Sequence, residues 1–164
     1  MRPCRMHIHR WQGLSIGSER PSVAAERIGR LVQELVNDLA WRKSASPELS
    51  AVLAALNSLD LAEGFAAPQS DPIVPGLRHI PAVIEQVSSE SSGSLPEAAL
   101  ATAGYAAWST FYARSEWSDA FVDDIAVGVL ISPNGPLVSS SVIVGLFLQG
   151  SYTSYPAHAH PAAE

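Results

Sequence analysis

The chain has 164 residues, 47% of them hydrophobic and 16% charged, with a formal net charge of −6. That length suits one domain able to bury about 70% of its unfolded surface, and the apolar content excludes wholesale disorder. The acidic balance, with a pI near 5.3, argues against a nucleic-acid partner, because phosphate binding needs a basic face.

Residues 1–21 carry Arg2, Arg5 and Arg10 with Pro3, Gly13, Gly17 and Pro21 and show no period; they read as a flexible tail or an extended start. No apolar stretch follows those arginines, so no secretory signal is expected. The longest apolar run, Val142 to Leu148, falls far short of the ~20 residues of a membrane helix. Cys4 is the single cysteine, which precludes an internal disulfide and fits a reducing compartment. A cytoplasmic location is the expectation.

From Ser22 the pattern becomes helical. Ile28, Leu31, Val32, Leu35, Val36 and Leu39 form one stripe, and Glu26, Arg27, Arg30, Gln33, Glu34, Asn37 and Asp38 fill the other face, with Ser22 as N-cap. A second helix is predicted from Ser46-Pro47 through Leu49, Val52, Leu53 and Leu56. Asp60 to His79, with three prolines and two glycines, reads as loop. A short helix over Pro81–Val87 and a polar linker over Ser88–Ser94 follow. The spacing of Leu100, Ala103, Ala107, Trp108 and Phe111 predicts a helix from Pro96 to about Arg114.

Past Asp124 the period changes to two. Ile125, Val127, Val129 and Ile131 alternate with Ala126, Gly128 and Leu130, which predicts a strand. Pro133-Asn134-Gly135-Pro136 predicts a hairpin turn into a second strand over Val138–Gln149, with a bend at Gly150 and a third strand from Tyr152. Helices first and strands last make an α+β class, divided into a tail over 1–21, a helical region over 22–120 and a strand region over 121–164.

The chemistry-bearing segment is Tyr155-Pro156-Ala157-His158-Ala159-His160-Pro161-Ala162-Ala163-Glu164. On an extended strand His158 and His160 share a face, and Glu164, an even number of residues further on, can return to it. Two imidazoles and a carboxylate suit Zn, Fe, Mn or Ni with positions left open for water or substrate. A His-X-His alone is more often incidental. His7-Ile8-His9 has the same spacing in the tail, with no acidic residue at the matching offset, and is read as nothing. Context distinguishes the later pair: strands, an Asn-Gly turn and a glycine bend precede it.

At these residues the chain resembles the first motif of the cupin superfamily. Gly145-Leu146-Phe147-Leu148-Gln149-Gly150 followed by Tyr155–Glu164 is similar to the bacterial dimethylsulfoniopropionate lyase family, in which a helical region precedes a cupin barrel. The likeness runs from about Trp108 to Glu164. It implies the first strands of an incomplete cupin barrel and a metal-dependent carbon–sulfur lyase that turns dimethylsulfoniopropionate into dimethyl sulfide and acrylate. It further implies His158, His160 and Glu164 as ligands of a divalent metal (Zn, Fe(II) or Mn), and Tyr155 as an active-site tyrosine. The family completes its site with a histidine of a second motif and a tyrosine after the glutamate. Both fall beyond Glu164, which leaves the activity of this form in doubt. The expected partner is a small zwitterionic or carboxylate substrate, with no nucleic acid or membrane and a homo-oligomer left open. The rival readings are a cupin isomerase or dioxygenase on another small acid, and a non-catalytic sensor or remnant.

Trp108, Phe111, Tyr112, Trp117 and Phe121 could line a pocket for the sulfonium, although aromatics at helical spacing more often pack a core. Trp41 and Phe65 are expected in the core, and Asp123-Asp124 is expected to be a solvated turn. Gly145 and Gly150 suit strand packing and a bend, since no phosphate-binding pattern surrounds them. His79 has no partner that the sequence identifies.

Overall fold

A computed structural model describes residues 21–42, 47–61, 65–89 and 93–155. The architecture is α+β, a helical N-terminal region followed by an open four-stranded mixed sheet. Helix α1 spans Pro21–Arg42. It begins one residue before Ser22, so that serine lies inside the helix and is not its cap. Its stripe folds inward as expected, with Ala24, Ile28, Leu31 and Val32 buried and Leu35, Val36 and Leu39 packed against the core. Trp41, in contrast, is 86% exposed. It lies about 220° around the helix from Ile28, at roughly 100° per residue, and so faces away from the stripe.

Helix α2 (Pro47–Asn57) buries Leu53 and Leu56. A 3-10 turn over Pro75–His79 leads into α3 (Ile80–Ser89). Helix α4 (Ser94–Thr102) packs on α1, where Ser94 Oγ donates to Glu34 Oε2 at 2.6 Å and Arg30 faces Glu97 at 3.8 Å. Phe65 packs edge-on against Tyr105 with ring centres 5.6 Å apart, at the side of the main core.

The helix predicted from Pro96 to Arg114 ends at Thr102. A 3-10 turn over Ala103–Tyr105 follows, and strand β1 occupies Ala107–Ser109. Helical spacing failed here because small alanines fit either structure, while Gly104 weakens the helix. Trp108 then gains more as a strand residue: its indole donates to Ala103 O at 2.9 Å while the ring is buried. The outer edge of β1 is occupied by a loop, with Trp108 N donating to Ser70 Oγ at 3.0 Å and Asp71 N to Trp108 O at 2.8 Å.

Helix α5 (Asp119–Asp124) runs directly into β2 (Ile125–Ser132), the centre of the sheet. β1 pairs with it antiparallel, Trp108 opposite Gly128. β4 (Val144–Gln149) also pairs antiparallel, from Ile125↔Gln149 to Ile131↔Val144, with a register irregularity past Val129. The Asn-Gly segment does turn the chain, but not as a two-residue hairpin. It leads to β3 (Leu137–Val138), which pairs parallel with Ile131 and Ser132, and the antiparallel return waits until Val144. Pro136 has no N–H to offer a ladder directly after the turn, which accounts for the delay.

The register divides the sheet into two faces. Ala126, Leu130, Leu148 and Trp108 are buried under the helices. Gly128 lies among them because a Cβ there would stand 2.9 Å from Ala106 Cβ and the Trp108 ring. Val127, Val129 and Phe147 point to the opposite, less covered face, with Phe147 49% exposed. At one end of that face Phe121, Val122 and Ile125 form a second small core. No helix among the described residues is long and apolar enough to cross a membrane.

Candidate active site

The loop from β1 to α5 brings aromatic rings to that second core. Phe111 has φ of 60°, and Tyr112 N donates back to Thr110 O at 2.7 Å, a tight γ-type turn that bulky residues rarely adopt. The turn leaves the Phe111 ring 70% exposed while sending Tyr112 inward. Ser118 caps α5, its Oγ accepting from Phe121 N at 3.3 Å, so the short helix presents Phe121 from its first turn. Arg114 spans Asp119, at 2.9 Å, and Asp123. Its guanidinium pKa is raised by the Asp123 and Asp119 hydrogen bonds.

Tyr155 completes the cluster. Its ring centre lies 5.6 Å from Phe121, 5.5 Å from Phe147 and 6.2 Å from Tyr112. The Tyr112 and Tyr155 hydroxyls are hydrogen-bonded. Trp117 stacks on Phe121 at 4.9 Å with the planes 27° apart and meets Tyr112 edge-on at 5.0 Å. Tyr155 remains 38% exposed, so the group combines aromatic faces, a paired phenol and access from solvent. Such a surface attracts an organic cation through the ring quadrupoles.

The sequence proposed five aromatics for this role. Four of them, Phe111, Tyr112, Trp117 and Phe121, meet here, whereas Trp108 belongs to the main core. Phe147 was missed. Strand parity could have found it, because it pairs with Val127 and so shares the open face. The predicted third strand from Tyr152 is not formed over residues 152–155. Ser151 and Tyr152 make a turn, Tyr152 with φ of 67°, and residues 153–155 follow outside any strand. His158, His160 and Glu164 lie outside the described residues. Among the described residues no group of three His, Cys, Asp or Glu side chains could hold a metal ion.

Asp123-Asp124 is more than a solvated turn. Asp124 Oδ2 accepts from Thr153 Oγ1 at 2.5 Å, and Oδ1 meets His79 Nε2 at 3.1 Å and an Arg78 guanidinium nitrogen. His79 thereby acquires the partner that the sequence did not identify. The Thr153 hydrogen bond, then His79 and Arg78, hold the Asp124 carboxyl below its ordinary 3.8, outweighing partial desolvation. A depressed carboxyl stabilises the fold fully above its unfolded value and ceases to do so as the pH falls through the folded one. Parent and Asp124→Asn should therefore differ in melting temperature at about pH 6. The gap should narrow as the pH falls below the ordinary carboxyl value of 3.8, checked by thermal melts at decreasing pH.

A profile of the dimethylsulfoniopropionate lyase family matches residues 60–164, well over half of the chain. No curated protein and no solved structure gives a significant match.

Proposed function

Since this chain belongs to the dimethylsulfoniopropionate lyase family, we propose that it cleaves dimethylsulfoniopropionate to dimethyl sulfide and acrylate by metal-dependent β-elimination at a site that begins at Tyr155. The observation that carries this reading is the exposed Tyr155 phenol, bonded to Tyr112 and ringed by Phe121 and Phe147. It stands immediately before His158, His160 and Glu164 in the chain.

The substrate has two ends with opposite needs. A sulfonium suits the faces of Phe121, Phe147 and Tyr155, where a cation gains quadrupole attraction without a counter-charge. A carboxylate needs a cation. Two neutral imidazoles and one carboxylate form a donor set that fits Zn, Fe(II) or Mn, so His158, His160 and Glu164 are the residues to hold one. A divalent ion there would supply Lewis acidity toward the substrate carboxylate and so acidify the adjacent C–H. In the elimination a general base takes the proton next to the carboxylate, the C–H electrons become the C=C bond, and the C–S electrons leave on sulfur as neutral dimethyl sulfide. Tyr155 orients the substrate or assists the proton transfer, and Tyr112 fixes the direction of its hydroxyl.

Headspace dimethyl sulfide over the full chain, loaded in turn with Zn, Fe(II) and Mn, tests the reading. Release that depends on the metal supports it. Substrate binding without release from folded, metal-loaded protein contradicts catalysis and favours the sensor or remnant class. Tyr155→Phe should keep the ring contacts and lower kcat/KM about 100-fold, the scale of a lost proton-transfer or orienting hydroxyl. Tyr112→Phe should cost less, about tenfold, because it removes only the bond that aims that hydroxyl.

A further inference from the structure

Residues 150–155 leave the sheet after Gln149 and pair with no strand among the described residues, yet they carry the phenol on which the lyase reading rests. What fixes them is the end of α5. Gly150 N donates to the Asp124 carbonyl at 2.8 Å, and Thr153 Oγ1 to the Asp124 carboxylate at 2.5 Å. The loop closes on itself through Thr153 N to Gly150 O at 3.2 Å and through the Gln149 amide to Thr153 O.

The carboxylate is gripped from the other side by the 3-10 turn. His79 and Arg78 occupy its second oxygen, and Arg78 also donates to Asp123 O at 2.5 Å. The three pieces meet so closely that a Cβ on Gly150 would stand 2.7 Å from His79 Nε2 and 3.0 Å from Asp124 Cγ. The same helix, one turn earlier, offers Phe121 to the Tyr155 ring at 5.6 Å.

From this geometry we infer that Asp124 is a positioning residue, the anchor that holds the Gly150–Tyr155 arm and so places the Tyr155 phenol; its bearing on catalysis rests on the lyase reading above. Arg78 and His79 fix the carboxylate, the carboxylate fixes Thr153, and Tyr155 lies two residues further along. A carboxylate set between a guanidinium, an imidazole and a hydroxyl makes short, directional bonds, which suits such an anchor.

Two readouts on the full chain test this. The first is the set of ring-to-ring cross-peaks between Tyr155 and Phe147, 5.5 Å apart at their centres, in NMR spectra of aromatic-labelled protein. The second is kcat for dimethyl sulfide release at matched metal content. Asp124→Ala and Thr153→Val should both lose the cross-peaks and lower kcat about tenfold, the scale of a misplaced reacting group. Thr153→Ser, which keeps the hydroxyl, should restore both to near the parent. If Asp124→Ala does not fold, Thr153→Val carries the test alone. Intact cross-peaks in Thr153→Val, or a Thr153→Ser that behaves like Thr153→Val, would overturn the anchor. A parent that releases no dimethyl sulfide but loses its cross-peaks on Thr153→Val supports the anchor and contradicts the lyase reading.

Discussion

His160→Ala is expected to lower dimethyl sulfide release on the order of 1,000-fold and to strip the chain of bound divalent metal. If His158, His160 and Glu164 hold the metal as proposed, removing one imidazole takes away a nitrogen donor that Zn and Fe(II) favour and weakens the site against water. A metal that stabilises charge on the substrate contributes several kcal/mol to the barrier. About 4 kcal/mol corresponds to that rate factor. Metal content by mass spectrometry and a melt compared with metal-free parent separate loss of the site from loss of the fold. Full metal content in the variant would remove His160 from the ligand set.

Gly76→Ala should destabilise the protein by about 3 kcal/mol or more, the upper range for overpacking. Gly76 is buried in the 3-10 turn that lies on the start of β2. A Cβ there would overlap the Ile125 carbonyl and stand 2.8 Å from Ala126 N. Those are backbone atoms of the central strand, paired to β4 on that stretch, so no side chain can turn aside to make room. The turn also carries Arg78 and His79, and displacing it would loosen their grip on Asp124. Gly104→Ala is the control: nothing lies within 4 Å of its Cβ position, and it should change stability by less than about 0.5 kcal/mol. Denaturant midpoints for the two variants decide the matter.

What the sequence disclosed was the information carried by short-range periodicity. The stripe from Ile28 to Leu39, the strand over Ile125–Ile131 and a helical region before the sheet were legible because each element's own period is written in its residues; for α1 that period also states the buried face, whereas in β2 the face of Ala126 and Leu130 is the one under the helices. The errors arose where distant partners decided the outcome. Ala103–Trp108 is compatible with a helix until Gly128, twenty residues later, offers Trp108 a strand site. The bond between His79 and Asp124 spans 45 residues, and no local pattern signals it. The aromatic group was half visible: Tyr112, Trp117 and Phe121 are neighbours in the chain, while Phe147 joins them through the register of β4 and Tyr155 through the segment that Asp124 holds. The family resemblance rested on the motif at Tyr155–Glu164, a local feature, and the profile match over residues 60–164 agrees with it.

A proton NMR time course of dimethylsulfoniopropionate with the metal-loaded full chain tests the claim at its centre. Vinyl resonances of acrylate should rise in step with the disappearance of the substrate's sulfonium methyl signal, at a rate that falls about 100-fold in Tyr155→Phe. A substrate spectrum that stays unchanged over folded, metal-bearing protein, or turnover that Tyr155→Phe leaves untouched, would contradict it.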